Sequence, residues 1–277
     1  MRVDPALGTV VHVVGHRQSR PNLPSNTDTR LCPFCPGGLE APDDYDVRWF
    51  VNRWPAMSDD RCEVVLYSPR HDASLATLSA EQVRRLVDLW AERSAALGAR
   101  DDVAYVLVFE NRGAAVGATI SHPHGQIYAY DHVPERPARF LLAAPTISDD
   151  RTIVATEHWI SFVPWAPVHP TAVTIVPRAR RGGLNDLTDD ERSSLAQVLV
   201  DTCRRLDALF DTEIPYMMWI NQRPFDGSIP DAVMSLELVS PWRSRDLPRF
   251  VAAAEIGAGE YFNPVVPEDL AKRLREL

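Results

Sequence analysis

Short apolar runs closed by Pro, Gly or Asn alternate along this chain with two long stretches in which apolar residues recur at helical spacing. In the first half the runs predict strands at 9–14, 47–51, 63–67, 103–109 and 122–130, the first of them buried. Ser79-Ala80-Glu81-Gln82 has the form of a capping box, and Val83, Leu86, Val87 and Trp90 follow at i, i+3, i+4 and i+7. A helix is therefore predicted over 80–97, ending near Gly98.

Past Pro134 the rhythm starts again. Strands are predicted at 151–155, 159–163, 172–176, 216–221 and 235–239. A second capping box, Thr188 to Glu191, opens a helix carrying Leu195, Val198, Leu199, Leu206 and Leu209. The strand-end Pro177-Arg178-Ala179 echoes Pro69-Arg70-His71, and Trp159…Trp165-Ala166-Pro167 echoes Trp49…Trp54-Pro55. Leu236 and Leu238 stand where the second copy would carry His122 and His124. The expected fold is α+β: two similar repeats, residues 1–135 and 136–277, sharing a largely antiparallel sheet with helices covering one face. The charged stretch Glu268 to Leu277 reads as a solvated terminal helix.

Composition narrows the function. With 277 residues, 45% of them hydrophobic, the chain affords a large core. A net charge of −9 disfavours nucleic acid and anionic membranes as partners. Apolar runs fall short of the roughly 18 residues of a membrane span, and Met1-Arg2-Val3-Asp4-Pro5 lacks the apolar core of a secretory signal, so the expected location is the cytoplasm. Four cysteines in such a chain are no disulfide framework; Cys62 and Cys203 lie in apolar segments and read as core.

The candidate chemistry centres on Ser121-His122-Pro123-His124-Gly125-Gln126. On an extended segment, residues two apart leave the same face, so both histidines and the glutamine share one. Imidazole serves as metal ligand, proton carrier or nucleophile near neutral pH. Cys32-Pro33-Phe34-Cys35 is either a redox pair or half of a zinc site; the following Pro36-Gly37-Gly38 argues against the helix a redox pair needs and so favours metal. His71 sits in a loop at a strand end, a position suited to a ligand. Arg17 and Arg20 lie in a polar loop that is either solvated or a phosphate clamp.

Taken together, His122-Pro123-His124-Gly125-Gln126, Phe109-Glu110-Asn111-Arg112-Gly113, Cys32-x-x-Cys35, Ser68-Pro69-x-His71 and Glu157-His158-Trp159 resemble the galactose-1-phosphate uridylyltransferases, the transferase branch of the histidine-triad superfamily. The resemblance implies that His124 is the nucleophile, attacking the α-phosphorus of a nucleotide sugar, and that Gln126 hydrogen-bonds the phosphate. It implies one structural zinc on Cys32, Cys35, His71 and His122. Arg17, Arg20, Asn52 and Asn111 fall on substrate-binding positions, as do Arg249, Phe250 and Glu255 in the hexose-binding stretch. The implied reaction is transfer of UMP from UDP-glucose to galactose 1-phosphate by a ping-pong route, and a homodimer is implied as well.

Three departures bear on this reading. The family's second metal site falls on Asn221, Leu236 and Leu238, so that metal is expected to be absent; residues 131–150 are fewer than usual; and Ala254 and Tyr261 replace a tyrosine and a glutamine, which leaves the hexose unassigned. Competing readings are a nucleotide-sugar phosphorylase or transferase using another base or sugar, such as ADP-glucose; a nucleotide hydrolase, disfavoured because glutamine at 126 cannot pass a proton to a leaving group; and a non-catalytic zinc-stabilised module.

Overall fold

A computed structural model of the chain describes residues 1–15, 17, 32–58, 60–143 and 145–277. In chain order the elements are β1 (Arg2–Val3), β2 (Val10–Val11), β3 (Arg48–Val51), β4 (Cys62–Leu66), α1 (Ala80–Gly98), β5 (Tyr105–Arg112), β6 (His124–Tyr130), α2 (Glu135–Leu142), β7 (Thr152–Ala155), β8 (Trp159–Phe162), β9 (Thr171–Pro177), α3 (Asp189–Ala208), β10 (Tyr216–Asn221), β11 (Ser235–Ser240), β12 (Trp242–Ser244), β13 (Leu247–Pro248), α4 (Ala253–Ala258) and α5 (Pro267–Arg275). Among the described residues one nine-stranded sheet dominates, in the order β3-β4-β6-β5-β10-β11-β9-β8-β7. Every neighbouring pair in it is antiparallel. The two halves of the chain meet at β5 and β10, where Phe109 lies opposite Trp219.

Strand alternation gives the sheet two faces of different character. Val106 and Val108 of β5, Ile127 and Ala129 of β6, Met218 and Ile220 of β10, and Leu236 and Leu238 of β11 point into one large core shared with Leu86, Val87 and Trp90 of α1 and Leu195, Leu199 and Leu206 of α3. The opposite face carries His124, Gln126 and Tyr128, and α2 covers part of it through Leu141 beside Tyr105. Two bidentate ion pairs tie the layers together: Arg93 of α1 donates to Glu63 of β4 at 3.0 and 2.7 Å, and Arg112 of β5 to Asp207 of α3 at 2.8 and 3.0 Å.

Both long helices start where their caps place them. The Thr188 hydroxyl accepts from Glu191 N at 3.2 Å while the Glu191 carboxylate accepts from Thr188 N at 2.8 Å, a complete capping box. Thr188→Ala removes half of it and is expected to lower stability by about 1 kcal/mol, measurable as a shift in denaturant midpoint without a change in slope. At α1 only half the expected box forms. Ser79 accepts from Gln82 N at 3.1 Å, but the Gln82 side chain turns inward and donates to Asp46 O and Tyr67 O, both at 3.0 Å. It satisfies two backbone carbonyls, one of them the buried carbonyl of the residue that precedes Ser68 in the site.

Three expectations need correction. The valine run at 9–14 is not a buried strand: only Val10–Val11 is a strand, among the described residues it pairs only with Arg2–Val3, and Val10, Val11 and Val13 are exposed. The C-terminal helix is not simply solvated. Leu270, Ala271 and Leu274 are buried in the main core, and Arg205 of α3 donates to Leu274 O at 2.7 Å. Leu236 and Leu238 do not occupy the face that His124 uses; they point into the helix-covered core, one residue out of step with the expected correspondence.

Candidate active site

Three chain segments meet at one end of β4 and β6. β4 pairs with β6 so that Leu66 lies opposite His124 and Val65 opposite Gly125. Beyond β4 the chain continues through Ser68 to His71, beside the loop that carries Cys32 and Cys35. That loop is wound tightly around Gly38, where a Cβ would lie 2.5 Å from Cys32 O, 2.7 Å from Pro33 O and 2.8 Å from Cys35 O, so no other residue fits.

The ligand atoms of Cys32, Cys35, His71 and His122 all lie within 4.8 Å of one another. Cys35 Sγ is 3.5 Å from Nδ1 of His71 and 3.5 Å from Nδ1 of His122. A tetrahedral zinc with ordinary Zn–S and Zn–N bonds separates such atoms by about 3.5 Å, so the spacing fits that ion. The far side of the His122 ring is held as well: Nε2 is 2.8 Å from Ser68 O and 2.8 Å from the Tyr45 hydroxyl, which itself donates to Phe34 O at 2.7 Å. With Nε2–H donating there, Nδ1 turns its lone pair toward Cys35. Burial, with His71 and His124 nearby, lowers the His122 pKa to about 4, which keeps the ring neutral, as a ligand must be. Burial and the neighbouring Cys32 push the Cys35 thiol up to about 11; a bound cation reverses that preference.

His124 begins β6 on the open face. Its Nδ1 donates to His122 O at 2.7 Å, which places the ring's lone pair on Nε2. The Phe34 ring packs edge-on against the imidazole with centroids 5.1 Å apart. Two residues on, Asn52 Nδ2 donates to Gln126 Oε1 at 3.2 Å, so the Gln126 NH₂ is the end of the amide that Asn52 does not use. His124 lines two cavities. One, of about 550 Å³, is walled by Phe34, Phe50, Val64 and Ile120 with Asn52 and Gln126 at its polar positions. The other, of about 640 Å³, is lined by Asn111, Arg112, Ser121 and His71 among others. An imidazole at the junction of an apolar slot and a polar cleft, with its Nδ1 held by a backbone carbonyl and an amide donor beside it, suits attack on a phosphorus centre.

The structure therefore brings together Cys32, Cys35, His71, His122, His124, Gln126, Asn52 and Asn111. Arg17 lies in the described part of the chain but lines neither cavity, and Arg20 falls outside the described residues. Arg249, Phe250 and Glu255 are also absent from the described lining of both cavities. Arg249 pairs with Glu255 and donates to Phe262 O at 2.9 Å and Val168 O at 3.0 Å, whereas Phe250 is exposed. Two residues of the site escaped the sequence reading. Thr119 lines both cavities five residues before His124, and Tyr45 braces His122 from a loop with no motif around it.

On the open face farther along the sheet, Asn221 Nδ2 donates to Ser235 Oγ at 3.0 Å and to Glu237 Oε1 at 2.7 Å, and Arg136 of α2 donates to Glu237 at 2.9 and 3.1 Å. Ser235 and Glu237, not Leu236 and Leu238, are thus the β11 residues that share this face with Asn221.

A family model described as galactose-1-phosphate uridyl transferase, N-terminal domain, matches residues 53–134, and the corresponding C-terminal domain matches residues 116–277. The galactose-1-phosphate uridylyltransferase of Thermotoga maritima is 34% identical over 100% of this chain and 98% of its own length. The chain belongs to the galactose-1-phosphate uridylyltransferase family. A solved structure of a uridylyltransferase superposes with a TM-score of 0.87 at 28% identity, covering 99% of this chain and 97% of the other. Another similar structure, an ADP-glucose phosphorylase from Arabidopsis thaliana with bound ADP-glucose, has a TM-score of 0.78 at 25% identity over 95% of this chain and 94% of its own. Both uridylyl transferase domain matches contain His122, His124 and Gln126, so the motif lies in the stretch they share.

Proposed function

We propose that the protein is a nucleotidylyltransferase that moves UMP from UDP-glucose to galactose 1-phosphate through a covalent nucleotidyl-histidine. The observation that carries the reading is the 2.7 Å bond from His124 Nδ1 to His122 O beside the Gln126 amide. His124 Nε2 attacks the α-phosphorus; the N–P bond forms as the bond to the bridging oxygen breaks, and glucose 1-phosphate leaves with that electron pair. The phosphate oxygen of galactose 1-phosphate then attacks the same phosphorus, the N–P bond breaks, and the imidazole regains its lone pair. The Gln126 NH₂ and the Thr119 hydroxyl are the donors for charge that spreads onto the phosphoryl oxygens. The apolar cavity is the slot for the nucleoside, with Asn52 at its polar edge. Arg17 and Arg20 are assigned to the phosphates, and Asn111 to the nucleotide.

Cys32, Cys35, His71 and His122 would hold a single structural zinc, whose contribution is to fix the loop and strand that flank His124; no step passes through it. The chain divides near residue 135 into a repeat bearing the chemistry and a second, degenerate one. No helix among the described residues is long and apolar enough to cross a membrane. The acidic surface and the free cysteines fit a cytoplasmic enzyme that binds no nucleic acid. Arg249, Phe250 and Glu255 fit a hexose site completed by a second copy of the chain, since they line neither His124 cavity of their own.

A second reading keeps the chemistry and changes the partners: an ADP-sugar phosphorylase, favoured by the similarity to the Arabidopsis enzyme. One mixture separates the two. Incubated with UDP-glucose alone, the protein is expected to gain the mass of one uridylyl group, and galactose 1-phosphate is expected to remove it. An adenylyl adduct from ADP-glucose, discharged by inorganic phosphate, would instead establish the phosphorylase. No adduct from either nucleotide sugar sinks both readings.

A further inference from the structure

Glu110 takes no part in the chemistry above, yet it is a buried acid directly behind the histidine motif. β5 sends Val106 and Val108 into the helix-covered core, and Glu110 follows them at the same two-residue spacing. There its Oε1 accepts from the Tyr216 hydroxyl at 3.1 Å. The Tyr67 hydroxyl interacts with the same carboxyl, but neither Tyr67 Oη nor Glu110 Oε2 completes a hydrogen bond with another protein group. Burial pushes the Glu110 carboxyl up to about 7, opposed by Arg112, so it carries a donatable proton in part of the population at neutral pH.

Tyr67 links this carboxyl to the nucleophile. Its backbone N–H donates to Pro123 O at 3.1 Å, on one side of His124. On the other side its hydroxyl stands against Gly125, where a Cβ would lie 2.3 Å from Tyr67 Oη and 2.9 Å from Phe109 O. The missing side chain of Gly125 is the space through which the tyrosine hydroxyl reaches the carboxyl. One residue therefore bonds to the backbone before His124 and packs against it after, with its tip set beside Glu110 and Tyr216. We propose that Glu110 and Tyr67 are positioning residues for the known motif, setting the placement of the His124 backbone through Gly125. This inference rests on His124 being the attacking group, for which a misplacement of about 1 Å costs roughly 100-fold in rate.

The test compares Glu110→Gln, which keeps shape and hydrogen-bonding capacity, with Glu110→Leu and Tyr67→Phe, which keep volume and remove the polar contact. Glu110→Gln is expected to form the nucleotidyl adduct within about threefold of the wild-type rate, whereas Glu110→Leu and Tyr67→Phe slow it by about 10- to 100-fold with KM for UDP-glucose within about twofold. The His124 imidazole nitrogens, followed by ¹⁵N NMR without substrate, are expected to keep their shifts in Glu110→Gln and to move in the other two. A wild-type rate in Glu110→Leu overturns the proposal. So do unmoved His124 resonances in both Glu110→Leu and Tyr67→Phe, or an equal loss of rate in Glu110→Gln and Glu110→Leu. If the wild type forms no adduct, the functional reading fails, and the resonance comparison alone decides the positioning role.

Discussion

His124→Ala is expected to lower turnover by about four to six orders of magnitude while leaving nucleotide-sugar binding within about tenfold. The size follows from how few groups near the phosphorus could replace the imidazole. His122 is turned away, with Nδ1 toward Cys35 and Nε2 at Ser68 O and Tyr45. His71 likewise directs Nδ1 at Cys35. Thr119 and Ser121 are alcohols, and a hydroxyl attacks phosphorus well only with a base beside it. Binding should survive because the walls of the apolar cavity, Phe34, Phe50, Val64 and Ile120, are untouched by the substitution, as are Asn52 and Gln126. Steady-state rates with UDP-glucose and galactose 1-phosphate, together with calorimetric titration of UDP-glucose, measure both quantities. A residual rate above about one-hundredth of wild type would place the nucleophile elsewhere.

Much of this arrangement was legible in the chain because the site residues lie on elements with strong periodicity. The alternation through 122–130 placed His124 and Gln126 on one face, and the strand begins at His124. What failed was information that periodicity does not contain. The valines at 10, 11 and 13 have the composition of a core strand but no sheet edge to join, so they lie exposed in a small hairpin. Leu236 and Leu238 are a different case: they sit two apart as the histidines do, but the alternation of Ser235, Leu236, Glu237 and Leu238 already assigns the leucines to the core face and the polar pair to the other. In α5 the charges dominate the composition while Leu270, Ala271 and Leu274 form a narrow buried stripe. Tyr45 and Thr119 belong to no spacing pattern at all; they reach the site only because loops fold back onto it.

Removing the metal, by chelation or by Cys35→Ser, is the second change with a large expected effect, and it should act on the site more than on the fold. The main core runs from α1 and α3 to both halves of the sheet and includes neither Cys32 nor Cys35. The loop that holds them packs instead in a small separate cluster of Cys32, Phe34, Ala41, Val64 and Leu66. Such a cluster cannot order a loop alone, because fixing each residue costs about 1–2 kcal/mol of backbone entropy; the proposed ion would supply the difference. Without it Phe34 loses its anchor, and with Phe34 go the edge contact to His124 and one wall of the apolar cavity. The expected result is one zinc per chain by metal analysis in the wild type and strong depletion in Cys35→Ser. Adduct formation should fall by about 100-fold or more, as for other changes that misplace a reacting group, while far-ultraviolet circular dichroism stays close to wild type. Two tightly bound metals per chain would overturn the expectation that no second ion binds beside Asn221, Ser235 and Glu237. There Arg136 already supplies the positive charge: its guanidinium binds the Glu237 carboxylate, and the Asn221 amide donates to the same group. A metal entering that site would have to displace the arginine, and the charge-assisted bonds it would break oppose the exchange.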